Sequence, residues 1–201
     1  MLIHIFLGFI GSYLGGIPFG PLNLSVVEIT LKKDRKAAAR FSLAAALVEI
    51  VEAAIAILFG KIIIVHLEAN TWIKLLVILF FILFGLYFIF KKETPCVKDD
   101  VSKGRSDFVK GLIVAILNPQ AIPYWIFFLT IVSSYMVLEL NSWYLIAFLA
   151  GVSIGKYFIL STFGVFSSYI QKRIKNLCSM VSKVIGIVLI IIGIFQIFRF
   201  F

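Results

Sequence analysis

The sequence predicts an all-α integral membrane protein: six transmembrane helices arranged as two inverted three-helix repeats, with the first and fourth helices broken at mid-membrane. Two observations carry this prediction. Of the 201 residues, 62% are hydrophobic and only 14% are charged, and the mean hydropathy is +1.09, which is typical of a polytopic helical membrane protein. Two of the apolar stretches also contain paired prolines near their centres, where a continuous helix is disrupted.

Six apolar stretches are long enough to cross a bilayer. Their bounds are about 2–31, 40–66, 72–91, 108–136, 142–170 and 178–198. Lys and Arg are concentrated in the loops after the first, third and fifth stretches. The positive-inside rule therefore predicts that these loops are cytoplasmic and that both termini lie outside. No Lys or Arg precedes the first stretch, which is too long for the apolar core of a signal peptide, so we expect no cleaved signal.

The six segments divide into two halves. Residues 1–91 form the first three-helix repeat, 92–107 a cytoplasmic linker, and 108–201 the second repeat. The sequences ILFGLYFIFK at 82–91 and IIIGIFQIFR at 190–199 align their glycine, their aromatic cluster and their final basic residue. Because three is an odd number of helices, the second half enters the membrane from the opposite side, which gives an inverted repeat. Chance similarity between two apolar helices is the alternative.

The two proline-containing breaks lie about one hundred residues apart, each roughly 15 Å from the cytoplasmic end of its segment, or half of the ~30 Å hydrocarbon core. Asn118 followed by Pro119 is also a helix-start signal in the middle of a segment. The start of a half-helix offers free N–H groups and a partial positive charge, which suit a carboxylate. We therefore predict a substrate-binding site there, and its residues are Pro18, Gly20, Pro21, Asn23, Asn118, Pro119 and Gln120. Proline kinks repaired by neighbouring helices are the alternative.

Three ionisable residues fall at a similar, central depth. Glu49 and Glu52 are three residues apart and share one face of the second segment, and Lys156 lies in the fifth. A charge at the centre of a membrane helix costs roughly 2.5–3.5 kcal/mol on insertion scales. We therefore expect a Glu52–Lys156 ion pair, with Glu49 as the proton or substrate-ammonium site; a purely structural pair is the alternative. Glu28 and Lys32 have the spacing of an interfacial ion pair.

The residues at both breaks resemble those of one known family. Pro-Phe-Gly-Pro-Leu-Asn-Leu-Ser-Val-Val (18–27), the basic turn at 32–40 and Gly-Leu-Ile-Val-Ala-Ile-Leu-Asn-Pro-Gln-Ala-Ile-Pro (111–123) are similar to the lysine exporter (LysE-type) and homoserine/threonine-efflux family. The resemblance covers nearly the whole chain. It implies export of amino acids or their derivatives, driven by the proton gradient, across the bacterial cell inner membrane. Where many members of that family have a Gly-Asp pair in the second helix, this chain has Glu49 and Glu52. The resemblance therefore does not identify the substrate of this chain.

The sequence offers no sign of an enzyme. It has no His/Glu zinc spacing, no phosphate-binding loop and no Ser/His/Asp set in a polar setting, so we expect no metal site and no cofactor. The expected partners are a small solute such as an amino acid, protons, the lipid bilayer and a second copy in a homodimer. The net charge of +9 is explained by basic residues that set membrane topology and contact anionic lipid headgroups, so we expect no nucleic-acid partner. Cys96 and Cys178 are expected to be free thiols. Efflux of an inorganic cation such as cadmium, or a non-transporting membrane partner protein, are the alternative functions.

Overall fold

The computed structural model describes residues 1–18, 20–69, 71–90, 106–118, 120–135 and 141–171, together with 187, 190, 191, 194 and 197. All the regular structure within these ranges is helical. The helices are α1 (Leu2–Gly15), α2 (Pro21–Lys32), α3 (Arg35–Ala69), α4 (Thr71–Phe90), α5 (Asp107–Ile116), α6 (Ala121–Tyr135), α7 (Ser142–Val165) and α8 (Ser167–Gln171). The all-helical part of the predicted fold class is thereby confirmed over these residues.

Five of the six predicted segments correspond to a helix or to a pair of consecutive helices. By length and composition, Arg35–Phe59 and Ser142–Val165 can each cross a membrane, and the bent pair of α5 and α6 makes a third candidate if the two helices are counted as one span. Helix α1 is a shorter apolar helix. The sixth segment, like both cysteines, lies largely outside the described residues, although its described positions are helical. The inverted repeat stays a prediction.

The first break separates α1 from α2 where the sequence predicts it. Ile17 precedes a proline, a position that disfavours the helical conformation, and α1 ends at Gly15. The backbone at Gly20 is extended, with φ −126° and ψ −177°, and Pro21 then occupies the first helical position of α2, which suits a residue without an N–H. The Gly20 carbonyl accepts the first helical hydrogen bond from the Leu24 N–H at 3.1 Å.

The second break repeats this arrangement one hundred residues later. The Gln120 carbonyl accepts from the Tyr124 N–H at 3.1 Å, and α5 and α6 are bent by 63° at the break. The sequence predicts that this half-helix starts at Asn118 and Pro119, but α6 begins at Ala121. Asn118 instead accepts the Gln120 N–H on its side-chain oxygen at 3.4 Å, so it supports the turn before the helix.

Polar caps fix the ends of the helices on the side predicted to be cytoplasmic. Asp34 accepts the Ala37 N–H on Oδ1 at 2.6 Å, and this cap starts α3 at Arg35, five residues before the apolar stretch itself. Ser106 accepts the Val109 N–H at 3.4 Å and starts α5. Both caps satisfy N–H groups that a helix terminus leaves without a partner.

Residues 1–60 and 96–173 form one compact unit, within which α1 lies directly against α7. Glycines make this approach possible, because a Cβ on Gly8 would meet the Phe148 carbonyl and a Cβ on Gly151 would meet the Ile5 carbonyl. Gly155 likewise faces the backbone of α1. Close approach of small residues stabilises helix pairs in membranes, and here it fixes the position of α7 along α1.

Two apolar clusters make up the core of this unit. The first includes Val48 of α3 and Leu160 of α7. The second includes Ala53 of α3 and Val152 of α7, together with Trp125 and Phe148. On both α3 and α7, a short stretch of helix lies between the two clusters, and that stretch holds the charged residues described below.

Residues 61–95 and 174–201 form a second compact unit. Its described helical parts are the end of α3, α4 and the single positions from 187 to 197. On α4, Ile78 is buried while Leu75, Leu79 and Leu83 are exposed. Exposed leucines along a helix fit a lipid environment, where apolar side chains have no reason to be covered by protein.

Candidate functional site

The two breaks lie next to each other. A Cβ built on Gly20 would lie 3.8 Å from Oε1 of Gln120, so the turn that starts α2 faces the turn that starts α6. Pro18 and Pro21 are exposed, while Asn118 and Gln120 are partly buried. Pro119 lies outside the described residues. The structure thus brings together residues about one hundred positions apart that the sequence assigns to one substrate-binding site.

Asn23 holds the first break together. Its side chain is buried, and its Nδ2 donates to the Gly16 carbonyl at 2.9 Å and to the Pro18 carbonyl at 2.9 Å. Gly16 caps the end of α1 and Pro18 lies in the break beyond it, so neither carbonyl accepts a hydrogen bond within a continuous helix. The amide of Asn23 is therefore used within the protein, and its place in the predicted site is to shape the break.

Glu49 is the centre of the buried polar network. Only 2% of its surface is exposed. Its Oε1 accepts from Ser12 Oγ of α1 at 3.2 Å and from Trp125 Nε1 of α6 at 3.3 Å, while its Oε2 lies 2.7 Å from Lys156 Nζ of α7. One carboxylate on α3 therefore contacts three other helices. The Lys156 contact lacks hydrogen-bonding geometry, so Oε2 has an ion-pair partner but no hydrogen-bond donor.

The expected Glu52–Lys156 ion pair is wrong, because Lys156 pairs with Glu49. Residues three apart on a helix differ by about 60° in direction, so helical spacing alone does not decide which of the two faces α7. Lys156 and Glu49 are both buried between the apolar clusters. Glu52 is partly buried, within electrostatic range of both charges. Of the two glutamates, Glu52 is therefore the one that does not form the ion pair with Lys156.

Three further side chains at this site were missed by the sequence interpretation. Trp125 is fully buried, and Ser12 shares its acceptor oxygen on Glu49. Tyr124 donates from its hydroxyl to the Gly11 carbonyl at 2.5 Å. A signal was present in the sequence: a Trp four residues into a restarted half-helix carries an N–H that needs an acceptor when buried, and a nearby buried carboxylate is a suitable one.

A second ionic cluster lies at the start of α5, outside the predicted membrane core. Asp107 is buried, and it contacts Lys33 at 2.5 Å and Arg40 at 3.3 Å. Burial alone would raise the pKa of the Asp107 carboxyl, but hydrogen bonds and charge from Lys33 and Arg40 outweigh it and hold that pKa below its ordinary value. The cluster ties the start of α5 to the end of α2 and the start of α3. The Glu28–Lys32 ion pair is also formed, at 2.5 Å, as expected.

Among the described residues, no group of three or more His, Cys, Asp or Glu side chains is arranged to hold a metal ion. What the described residues do contain is a pair of facing helix breaks beside a buried ion pair, inside an apolar helical protein. Broken helices that meet at mid-membrane are typical of integral membrane transporters.

Comparison with known families identifies the transporter class. The family model described as LysE type translocator matches residues 14–199. The chain therefore belongs to the LysE type translocator family, whose members are transporters that export amino acids or small solutes, and the resemblance at the two breaks is confirmed. Searches of curated proteins and of solved structures found no match.

Proposed function

We propose that this translocator exports amino acids or closely related small solutes across the bacterial cell inner membrane in exchange for protons. The observation that supports this most directly is the position of the buried Glu49–Lys156 pair in the same compact unit as the two facing breaks. A zwitterionic solute needs an anion-binding and a cation-binding group. The two half-helix starts supply the first and the carboxylates supply the second.

In the proposed arrangement, residues 1–91 and 108–201 are inverted repeats joined by the linker 92–107, and both termini are periplasmic. Helices α1 and α6 are then the outer halves of the broken segments, and α2 and α5 are the inner halves. Each half is 10–15 residues long, or about 15–22 Å, too short to cross the ~30 Å core alone. Each break is therefore proposed to lie near mid-membrane, where a site can face either side in turn.

The proposed substrate site consists of the N–H groups at the starts of α2 and α6, shaped by Gly20, Asn23 and Gln120. Pro18, Pro21 and Pro119 disfavour a continuous helix there, and Asn118 supports the turn before α6. Glu49, Glu52 and Lys156 form the proposed coupling group: a proton or a substrate ammonium neutralises one carboxylate, and Lys156 balances the other when the site is empty.

Counterflow by the purified protein in liposomes tests this proposal. The liposomes are loaded with single amino acids from a panel, and exchange of labelled solute is measured with and without an imposed proton gradient. Export of at least one amino acid, accelerated by the gradient, is the expected result. Transport of cadmium in place of every amino acid would favour the cation-efflux alternative, and transport of nothing would favour a partner protein.

The acidic part of the proposal is tested with Glu49→Gln and Glu52→Gln. We expect each variant to lose dependence of export on the proton gradient, because a neutral amide does not bind and release the coupled proton. Glu28→Gln is the matched control, since Glu28 forms an exposed ion pair with Lys32 at the end of α2 and stands apart from the proposed coupling group. Full gradient-dependent export by both Glu49→Gln and Glu52→Gln would refute the role of these carboxylates.

A further inference from the structure

Two half-helices contact the same oxygen atom. Ser12, in the last turn of α1, and Trp125, in the second turn of α6, both donate to Oε1 of Glu49. Under the proposed topology, α1 and α6 are the outer halves of the two broken segments. A single charged acceptor on α3 therefore joins the two elements whose separation would open the outer side.

Aromatic side chains surround the Trp125 donor on α6. Its indole ring makes edge contacts with Tyr124, Phe128 and Phe148, with ring centroids 5.6–5.7 Å apart, and it is fully buried. Phe128 and Tyr124 also fill the space in front of Gly11 and Gly15 of α1, where a Cβ would clash with their rings. When Trp125 moves, the face of α6 that contacts α1 must move with it.

We infer that Trp125 and Ser12 are positioning residues that make the closed arrangement of α1 and α6 depend on negative charge at Glu49. A hydrogen bond to a carboxylate is about twice as strong as one to a neutral group. Lys156 already pairs with the other oxygen while both bonds are intact, so pairing with a cation does not break them. Protonation makes the Glu49 carboxyl neutral, weakens both bonds together and releases both half-helices. This inference rests on the proposed coupling role of Glu49 and assigns the elements through which that coupling acts.

The other charged and titratable groups around Glu49 leave this assignment intact. Lys156 of α7 contacts Oε2, the other oxygen. Glu52 is on the same helix as Glu49, and Tyr124 of α6 interacts with Glu49 only through space because its hydroxyl donates to α1. The contact from α1 is the neutral Ser12. Trp125 is therefore the donor on α6 that responds directly to the charge on Oε1.

Fluorescence of a single-tryptophan protein tests this inference without any transport measurement. Trp72→Phe and Trp143→Phe remove the other two tryptophans, both exposed, with 75% and 72% of their surface accessible. Emission and acrylamide quenching of Trp125 are then compared in detergent or nanodiscs, with and without Glu49→Gln. We expect weak quenching and short-wavelength emission in the parent, and a several-fold larger quenching constant with a red shift in the variant. Glu28→Gln is the matched control and should leave both unchanged.

Two additional variants separate positioning from a general loss of structure. Glu49→Gln combined with Lys156→Met removes the uncompensated lysine charge, and Trp125 should remain quenchable because its charged acceptor is still absent. Glu49→Asp keeps the charge but withdraws the oxygens by one methylene, so it should give a smaller change in the same direction. If Trp125 is equally protected in the parent, Glu49→Gln and Glu49→Asp, the inference is wrong.

The inference and the proposed transport function can fail separately. Dependence of Trp125 quenching on Glu49 in a protein that exports no solute would refute the proposed function but not the coupling between helices. Proton-coupled export by a protein whose Trp125 does not respond to Glu49→Gln would support the function and refute the role of Trp125. The unaltered protein and the single variant Trp143→Phe should give the same export rate, since Trp143 is exposed at the start of α7.

Discussion

Removing one member of the Glu49–Lys156 pair should be far more damaging than removing both. At 2.7 Å and an effective dielectric constant of about 20, the gross attraction is about 6 kcal/mol, much of which offsets the cost of removing two charges from water. Glu49→Gln or Lys156→Met alone leaves a buried charge without its partner, which costs about 3–5 kcal/mol in unfolding free energy. Replacing both should cost less than either single change, because both replacement side chains are neutral and neither member of the pair is left without its partner.

The assay is a double-mutant cycle measured by equilibrium unfolding of the detergent-solubilised protein. We expect a coupling energy of a few kcal/mol, well above the ~0.5 kcal/mol within which independent sites add. The Glu28–Lys32 pair is the matched control: its atoms are closer, at 2.5 Å, but its side chains are 23% and 64% exposed. The same cycle there should give less than about 1 kcal/mol. Single changes at Glu49 and Lys156 that simply add would refute the reasoning that burial gives the pair its strength.

Three other changes have defined outcomes. Gly151→Ala should lower the free energy of unfolding by about 1–3 kcal/mol, because the new Cβ meets the backbone of Ile5. Asn23→Ala should cost about 1–3 kcal/mol, since one buried and one partly buried hydrogen bond to carbonyls are lost. The lowered pKa of Asp107 means that its ion pairs contribute stability above its ordinary pKa of about 3.9 and lose it as the pH falls through the lower folded-state value. Asp107→Asn should remove this part of the acid sensitivity, measured as unfolding against pH.

Each of these predictions has a contradicting result. Gly164→Ala is the control for Gly151→Ala, because its Cβ would meet side-chain atoms at 3.3–3.4 Å that can shift slightly; equal destabilisation by both would contradict the helix-contact argument. Unchanged stability of Asn23→Ala would mean that the break needs no closure by this amide. If Asp107→Asn retains the full decline in stability below about pH 4, the decline arises from other carboxylates.

Much of the fold is readable from the sequence because it depends on local chemistry. Proline disfavours the interior of a helix but is tolerated in its first turn, so both breaks were predicted within a few residues. The second half-helix starts two residues later than expected, since Asn118 supports a turn and Gln120 provides the first helical acceptor. Because Asp34 caps α3, the helix begins before the apolar stretch does. A prediction from hydrophobicity alone does not include this cap.

The candidate site divides in the same way. Counting residues at ~1.5 Å each predicts a similar depth for Glu49, Glu52 and Lys156, and the three groups do lie near one another in the structure. Which glutamate contacts Lys156 depends on the rotation of α3 about its axis and on the axial position of α7. The sequence of neither helix determines these two quantities. The position of α7 is set by Gly151 and its close contact with α1.

The sequence by itself determined an apolar, all-helical membrane protein with two proline-containing interruptions and a few costly buried charges, because length, hydropathy and proline content act locally. Only the tertiary structure decided that the two breaks face each other and that Glu49, rather than Glu52, forms the ion pair with Lys156. It also brought Ser12 and Trp125 to one oxygen from helices more than one hundred residues apart in the chain. The physical reason is that pairing between helices depends on rotation and axial offset, which are fixed by backbone contacts distant in sequence.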